Sequence, residues 1–121
     1  MRILLIEEEL RTANIVSTGL AVDGYEVVTA EDRDVGAFLA ATEPFDLIVL
    51  DLPLDAPSDL ELVQRIRSGS DAPVIVVSER DDPEAREDCE QAGVAAFIAK
   101  PLVVESLRAS VREQLTLRRK P

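Results

Sequence analysis

Five short apolar runs recur along the chain: "ILLI" (3–6), "YEVV" (25–28), "LIVL" (47–50), "VIVV" (74–77) and "AAFIA" (95–99). Four of them lack polar alternation, as strands do when both faces of a parallel sheet are covered. Between the runs, apolar residues return at helical spacing. Leu10, Ile15, Val16, Leu20 and Val22 mark a first helix, and Val35, Phe38 and Leu39 a second. Leu60, Leu62, Val63 and Ile66 mark a third. A fourth, near 82–92, is weakly apolar, and Val104, Leu107, Val111 and Leu115 make one stripe on a fifth. Ser58 with Glu61 reads as a capping box opening the third helix. Asp82-Pro83 reads as an N-cap followed by proline at the first helical position. Gly24, Gly69 and Gly93 fall where the first, third and fourth helices should stop. Five strands alternating with five helices predict an α/β fold: a doubly wound, five-stranded parallel sheet flanked by five helices, with right-handed crossovers.

The length of 121 residues fits one domain over 1–121, with "LRRKP" (117–121) as a frayed tail or the start of a linker. Only 3% of the chain is aromatic against 46% apolar, so the core must be built from Leu, Val, Ile and Ala. No apolar run approaches the roughly 18 residues of a membrane span, and the first run is too short for a signal peptide. A lone Cys89 excludes an internal disulfide and points to a reducing cytoplasm. The net charge of −11 is unevenly spread: residues 1–99 hold 7 basic and 22 acidic side chains, and residues 100–121 hold 6 and 2. The acidic body argues against direct nucleic-acid binding, because phosphates attract Lys and Arg.

Ligands of open parallel sheets bind beyond the carboxyl ends of the strands. The residues in those places are polar. Glu7, Glu8 and Glu9 follow the first run, Asp51 the third, Ser78 the fourth and Lys100 the fifth. Taken singly, each has a plainer reading: solvated acids at a helix start, a loop acid, a turn serine, a surface lysine. Together they place carboxylates, a hydroxyl and an ammonium at one edge. Clustered carboxylates raise one another's pKa, and a hard divalent ion such as Mg²⁺ relieves the repulsion. That set suits a phosphoryl group carried on a carboxylate, its oxygens neutralised by metal and ammonium.

The pattern resembles the receiver domain of bacterial two-component response regulators over residues 2–116. "RILLIEEE" (2–9) is similar to the family's first strand and acidic pair, and "PFDLIVLDLPL" (44–54) to its third strand and acceptor aspartate. "APVIVVSERDD" (72–82) is similar to the fourth strand with its switch residue, and "AGVAAFIAKP" (92–101) to the fifth with a switch aromatic and a Lys-Pro pair. The resemblance implies a flavodoxin-like fold and a signalling phosphoacceptor rather than an enzyme. It implies that Asp51 accepts a phosphoryl group from a sensor histidine kinase or phosphotransfer protein. Mg²⁺ would be held by Glu7, Glu8, Asp51 and the backbone carbonyl of Pro53. Ser78 and Lys100 would bond phosphoryl oxygens, Phe97 would change rotamer, and Lys100-Pro101 would be a cis peptide. The chain would be either a stand-alone receiver or the front of a longer transcriptional regulator whose C-terminal DNA-binding domain follows.

Several positions depart from the family pattern. Glu8 replaces an aspartate, Asp55 a proline and Asp59 a glycine; Pro53, Glu79 and Ala95-Ala96 are also unusual. The extra methylene of Glu8 displaces its carboxylate by about 1.5 Å, more than octahedral Mg²⁺ tolerates, so weak metal binding is expected. The alternative is a degenerate receiver, an interaction module that works without phosphorylation. Ala96 and Ser110 stand where an acid and a base pair across the family's dimer face, which predicts a monomer or a dimer of altered geometry. A nucleotide-binding reading fails because "EEE" would repel phosphate. A phosphatase reading fails because Pro53 stands where a second aspartate is needed.

Overall fold

The computed structural model describes residues 1–119. It alternates β1 (Arg2–Ile6), α1 (Leu10–Ala21), β2 (Glu26–Ala30), α2 (Arg33–Thr42), β3 (Leu47–Asp51), α3 (Pro57–Gly69), β4 (Val74–Ser78), α4 (Pro83–Gln91), β5 (Ala96–Ala99) and α5 (Val104–Arg119). All strands are parallel, in the order β2-β1-β3-β4-β5. The chain direction across the sheet reverses between β1 and β3, and that is where a doubly wound sheet opens a crevice for ligands.

The sheet has a core on each face. On one, Leu4, Ile48, Leu50, Val74 and Val76 pack against α2, α3 and α4. On the other, Ile3, Leu5, Leu47, Val49, Ile75 and Val77 pack against α1 and α5. The β1, β3 and β4 runs are buried on both faces because helices cover both. The edge strands β2 and β5 are only part-buried.

Some helix details differ from the sequence expectation. α1 buries Ala13, Val16 and Leu20, while Leu10, Ile15 and Val22 are exposed. α2 buries Gly36, Ala37 and Ala40 and leaves Val35 and Phe38 outside. A Cβ on Gly36 would lie 2.4 Å from Ile6 Cδ1, so α2 approaches β1 too closely for large side chains. The capping box at Ser58 does not form. α3 starts at Pro57, its N-cap is Ala56, and no side chain caps it. Asp82 does cap α4, accepting from the Ala85 N–H at 2.9 Å, with Pro83 following. Gly24 and Gly93 adopt φ of 87° and 85°, the left-handed turn that glycine allows. Gly69 instead remains helical, and its missing side chain admits Ala41 of α2. Residues 117–119 extend α5 rather than fray, while Lys120 and Pro121 of the expected tail lie outside the described residues.

Candidate functional site

Strand register brings the site together. Asp51 pairs with Val77, and Ser78 with Ala99, so the ends of β3, β4 and β5 advance in step. Lys100 is fixed by its N–H donating to the Ser78 carbonyl at 2.8 Å. Its Nζ then lies 2.9 Å from Asp51 Oδ2. Burial pulls the Lys100 ammonium down, but the hydrogen bond and charge of Asp51, with Glu7 and Glu79, outweigh it and raise the pKa. Lys100 is therefore charged at neutral pH. The Lys100–Pro101 peptide is cis.

Glu7 follows β1 directly and is held by its N–H donating to the Ala30 carbonyl at 3.0 Å. Its side chain is buried and faces Asp51. Burial, then the hydrogen bond to Asp51, push its pKa up to about 7, against the opposing pull of the Glu9 N–H and Lys100. Two carboxyl groups thus share a site with one ammonium. Such a pair of hard oxygen donors fits Mg²⁺, which takes one or two carboxylates and completes its shell with waters or phosphate oxygens.

Glu8 lies elsewhere. It is 67% exposed, and its Oε1 lies 3.1 Å from Arg33 Nε at the start of α2. Among the described residues, no three metal-ligating side chains are gathered in one place. Glu9 caps α1, accepting from the Arg11 N–H at 3.1 Å and from the Thr12 hydroxyl. Ser78 is fully buried, and its Oγ accepts from the Arg80 N–H at 3.2 Å. Phe97 packs on the α2–α4 core with the Arg86 guanidinium 4.6 Å from its ring centre.

Pro53 is exposed and lies in the loop between β3 and α3, which is pinned from two sides. Leu54 adopts φ of 56°, unfavourable for a non-glycine residue. Its side chain is buried, and its carbonyl accepts from Arg80 Nη1 at 2.7 Å. Arg80 also grips Asp82 through two hydrogen bonds of 2.8 Å each. On the other side, Asp59 is 2% exposed and accepts from the Asp55 N–H at 3.1 Å. A cavity of about 330 Å³ beside this loop is lined by Asp51, Pro53, Asp55, Glu79, Arg80 and Lys100. Sequence reasoning missed Arg33 and Arg80. No motif marks them, although an arginine two residues past a strand-end serine is well placed to reach a neighbouring loop.

A pH effect follows from Glu7. Its folded pKa is raised above the unfolded value, so its protonated form stabilises the fold at low pH. That contribution is complete below about pH 4.5 and is lost as pH rises through about 7. In metal-free buffer, urea midpoints are expected to fall between pH 5 and pH 7.5, and Glu7→Gln should flatten this stretch of the profile. A midpoint that rises there, or a slope unchanged in Glu7→Gln, contradicts the assignment.

Known proteins give the same frame. The family model described as "Response regulator receiver domain" matches residues 3–112. The transcriptional regulatory protein HprR of Escherichia coli is 34% identical over 115 residues, covering 95% of this chain and 52% of the relative. The chain spans about half the length of the curated relatives it matches. The solved structure of HP1043, an orphan response regulator of H. pylori, superposes with a TM-score of 0.82 at 27% identity, covering 95% of this chain and 96% of that one. A response regulator from Burkholderia pseudomallei, solved with a phosphorylated aspartic acid, calcium ion and citrate, superposes with a TM-score of 0.78 at 26% identity, covering 98% and 75%. By sequence match and by fold, this chain belongs to the response regulator receiver domain family.

Proposed function

We propose that residues 1–121 form one receiver domain whose switch is phosphorylation of Asp51. The observation that carries this reading is the Asp51–Lys100 pair at 2.9 Å, with Glu7 and Ser78 at the same sheet edge. One Asp51 oxygen attacks the phosphorus of a donor, and the bond from phosphorus to the leaving group breaks. The Lys100 ammonium then pairs with a phosphoryl oxygen in place of the bare carboxylate. The Ser78 hydroxyl already accepts a hydrogen bond and keeps its own proton to donate to a second oxygen. Glu7, Asp51 and the Pro53 carbonyl, with Glu8 when freed from Arg33, would hold a divalent ion, which would supply further charge neutralisation. The Burkholderia relative, with its phosphorylated aspartic acid and calcium ion, supports both parts of the reading.

Movement of Ser78 changes the room left for Phe97 and so the surface of α4, β5 and α5. The donor is a sensor histidine kinase or phosphotransfer protein in the cytoplasm. The output is a DNA-binding domain elsewhere in a longer chain, in keeping with the transcriptional regulators among the relatives. Self-dephosphorylation is slow, and the role is signalling rather than catalysis. The test is intact-mass spectrometry after incubation with a small-molecule phosphodonor and Mg²⁺, with the adduct mapped by peptide digestion.

The degenerate reading has one observation in its favour, the capture of Glu8 by Arg33. It is not favoured, because it leaves the grouping of Asp51, Ser78 and Lys100 without a purpose. The chain is a monomer or a dimer of altered geometry, since Ala96 and Ser110 offer no charges to pair across the family's dimer face. Sedimentation velocity checks this, and a two-fold dimer through α4, β5 and α5 in the family's ion-pair register would contradict it.

A further inference from the structure

Arg33 ties together parts of the site that have no covalent reason to move together. Its Nη1 lies 2.8 Å from Asp59 Oδ1, and its Nε lies 3.1 Å from Glu8 Oε1. The second Asp59 oxygen accepts from the Asp55 N–H at 3.1 Å. The bridge therefore runs from the loop after β1, through the first turn of α2, to α3 and the loop after β3. Its members include Glu8, Asp55 and Asp59, three of the positions that depart from the receiver pattern. Each departure supplies a part. Residue 59 offers a buried acceptor where glycine has no side chain. Residue 55 offers an N–H that proline lacks. Residue 8 offers the carboxylate that Arg33 holds.

The two ends of the bridge differ. Asp59 is buried and anchors the guanidinium, since an unpaired buried carboxylate is costly. Glu8 is 67% exposed and bonded through one nitrogen, the kind of pair that contributes little in water. Arg33 thus stays with Asp59 while Glu8 can leave. We propose that Arg33 is a positioning residue that latches Glu8 away from Glu7 and Asp51, sets the affinity of that acid pair for a divalent cation, and releases Glu8 when the cation enters. The inference rests on reading Glu7 and Asp51 as a cation site. A guanidinium and a metal ion compete for one carboxylate, so the metal binds more weakly by the strength of the pair it must break.

The test is Mg²⁺ binding by isothermal titration calorimetry, with Mn²⁺ as a second probe, on the full chain. Arg33→Lys keeps a cation beside Asp59 but lacks the planar fork that serves two carboxylates. Arg33→Gln with Asp59→Asn removes both charges at once, so no buried charge is left unpaired. Both are expected to bind Mg²⁺ about three- to five-fold tighter than wild type. Glu8→Gln should weaken binding more in the Arg33→Gln/Asp59→Asn background than in wild type, because in wild type what Glu8 adds as a ligand is partly offset by breaking its pair with Arg33. If both Arg33 variants melt cooperatively and bind Mg²⁺ no tighter than wild type, the latch is wrong and the cation site stands. If no variant binds either ion, the cation site falls with it.

Discussion

Asp51→Asn should stay at the mass of the untreated chain under saturating phosphodonor and Mg²⁺, while wild type gains one phosphoryl group. The substitution nearly preserves shape. Asp51 closes β3, and the ladder beyond it continues through the Leu52 N–H to the Val77 carbonyl at 3.0 Å. An asparagine there leaves that ladder untouched. What is lost is the charged oxygen that attacks phosphorus. Glu7 is a poor substitute, because burial and its neighbour push its pKa up to about 7 and leave it partly protonated. Glu8 is held by Arg33, and Glu9 is engaged as the cap of α1. The expected loss is therefore complete rather than partial. An adduct of equal mass on Asp51→Asn would move the acceptor elsewhere. A wild-type chain that takes no phosphoryl group would return the degenerate reading to first place.

Gly36→Leu should lower stability by about 3 kcal/mol, or on the order of 10 °C in melting temperature, whereas Phe38→Ala should change it by less than about 0.5 kcal/mol. The contrast inverts what side-chain size alone suggests. Phe38 is the largest apolar residue of α2, yet it is 64% exposed. Gly36 has no side chain and faces β1, where a Cβ would meet Ile6 Cγ1 at 2.7 Å as well as Cδ1. A leucine there must push α2 off the sheet or force Ile6 from its rotamer. Thermal denaturation followed by circular dichroism reads both variants. If Phe38→Ala proves the more damaging of the two, the packing described for α2 is incorrect.

The same contrast marks where the sequence was readable. The apolar runs of β1, β3 and β4 are buried on both faces, so their strand character needed no knowledge of neighbours. The polar residues that follow them could be assigned to one edge from topology alone, and Glu7, Asp51, Ser78 and Lys100 do meet there. Helix faces were harder. In α1 and α2 the buried stripe is made of Ala and Gly together with Val16 and Leu20. Small residues carry almost no hydrophobic signal, so the larger Ile15, Val35 and Phe38 drew the stripe the wrong way. Glu8 was readable as an acid but not as a partner of Arg33, which lies 25 residues away and meets it only through the crossover from β1 to α2. The Ser58 cap failed for a local reason. Pro57 takes the first helical position of α3, so the chain enters the helix two residues earlier than a cap at Ser58 requires.

The two cores also differ in when they can close as the chain leaves the ribosome. Every member of the core beneath α2, α3 and α4 has been synthesised by residue 97. The opposite core needs Leu107, Val111 and Leu115 of α5. Elongation at roughly 5–20 residues per second separates these events by about one to four seconds. During that interval one face of the sheet is finished, while Ile75 and Val77 on the other still await the helix that buries them. A chaperone that recognises exposed aliphatic surface would therefore find the α5 face of this nascent chain open for longer than the other.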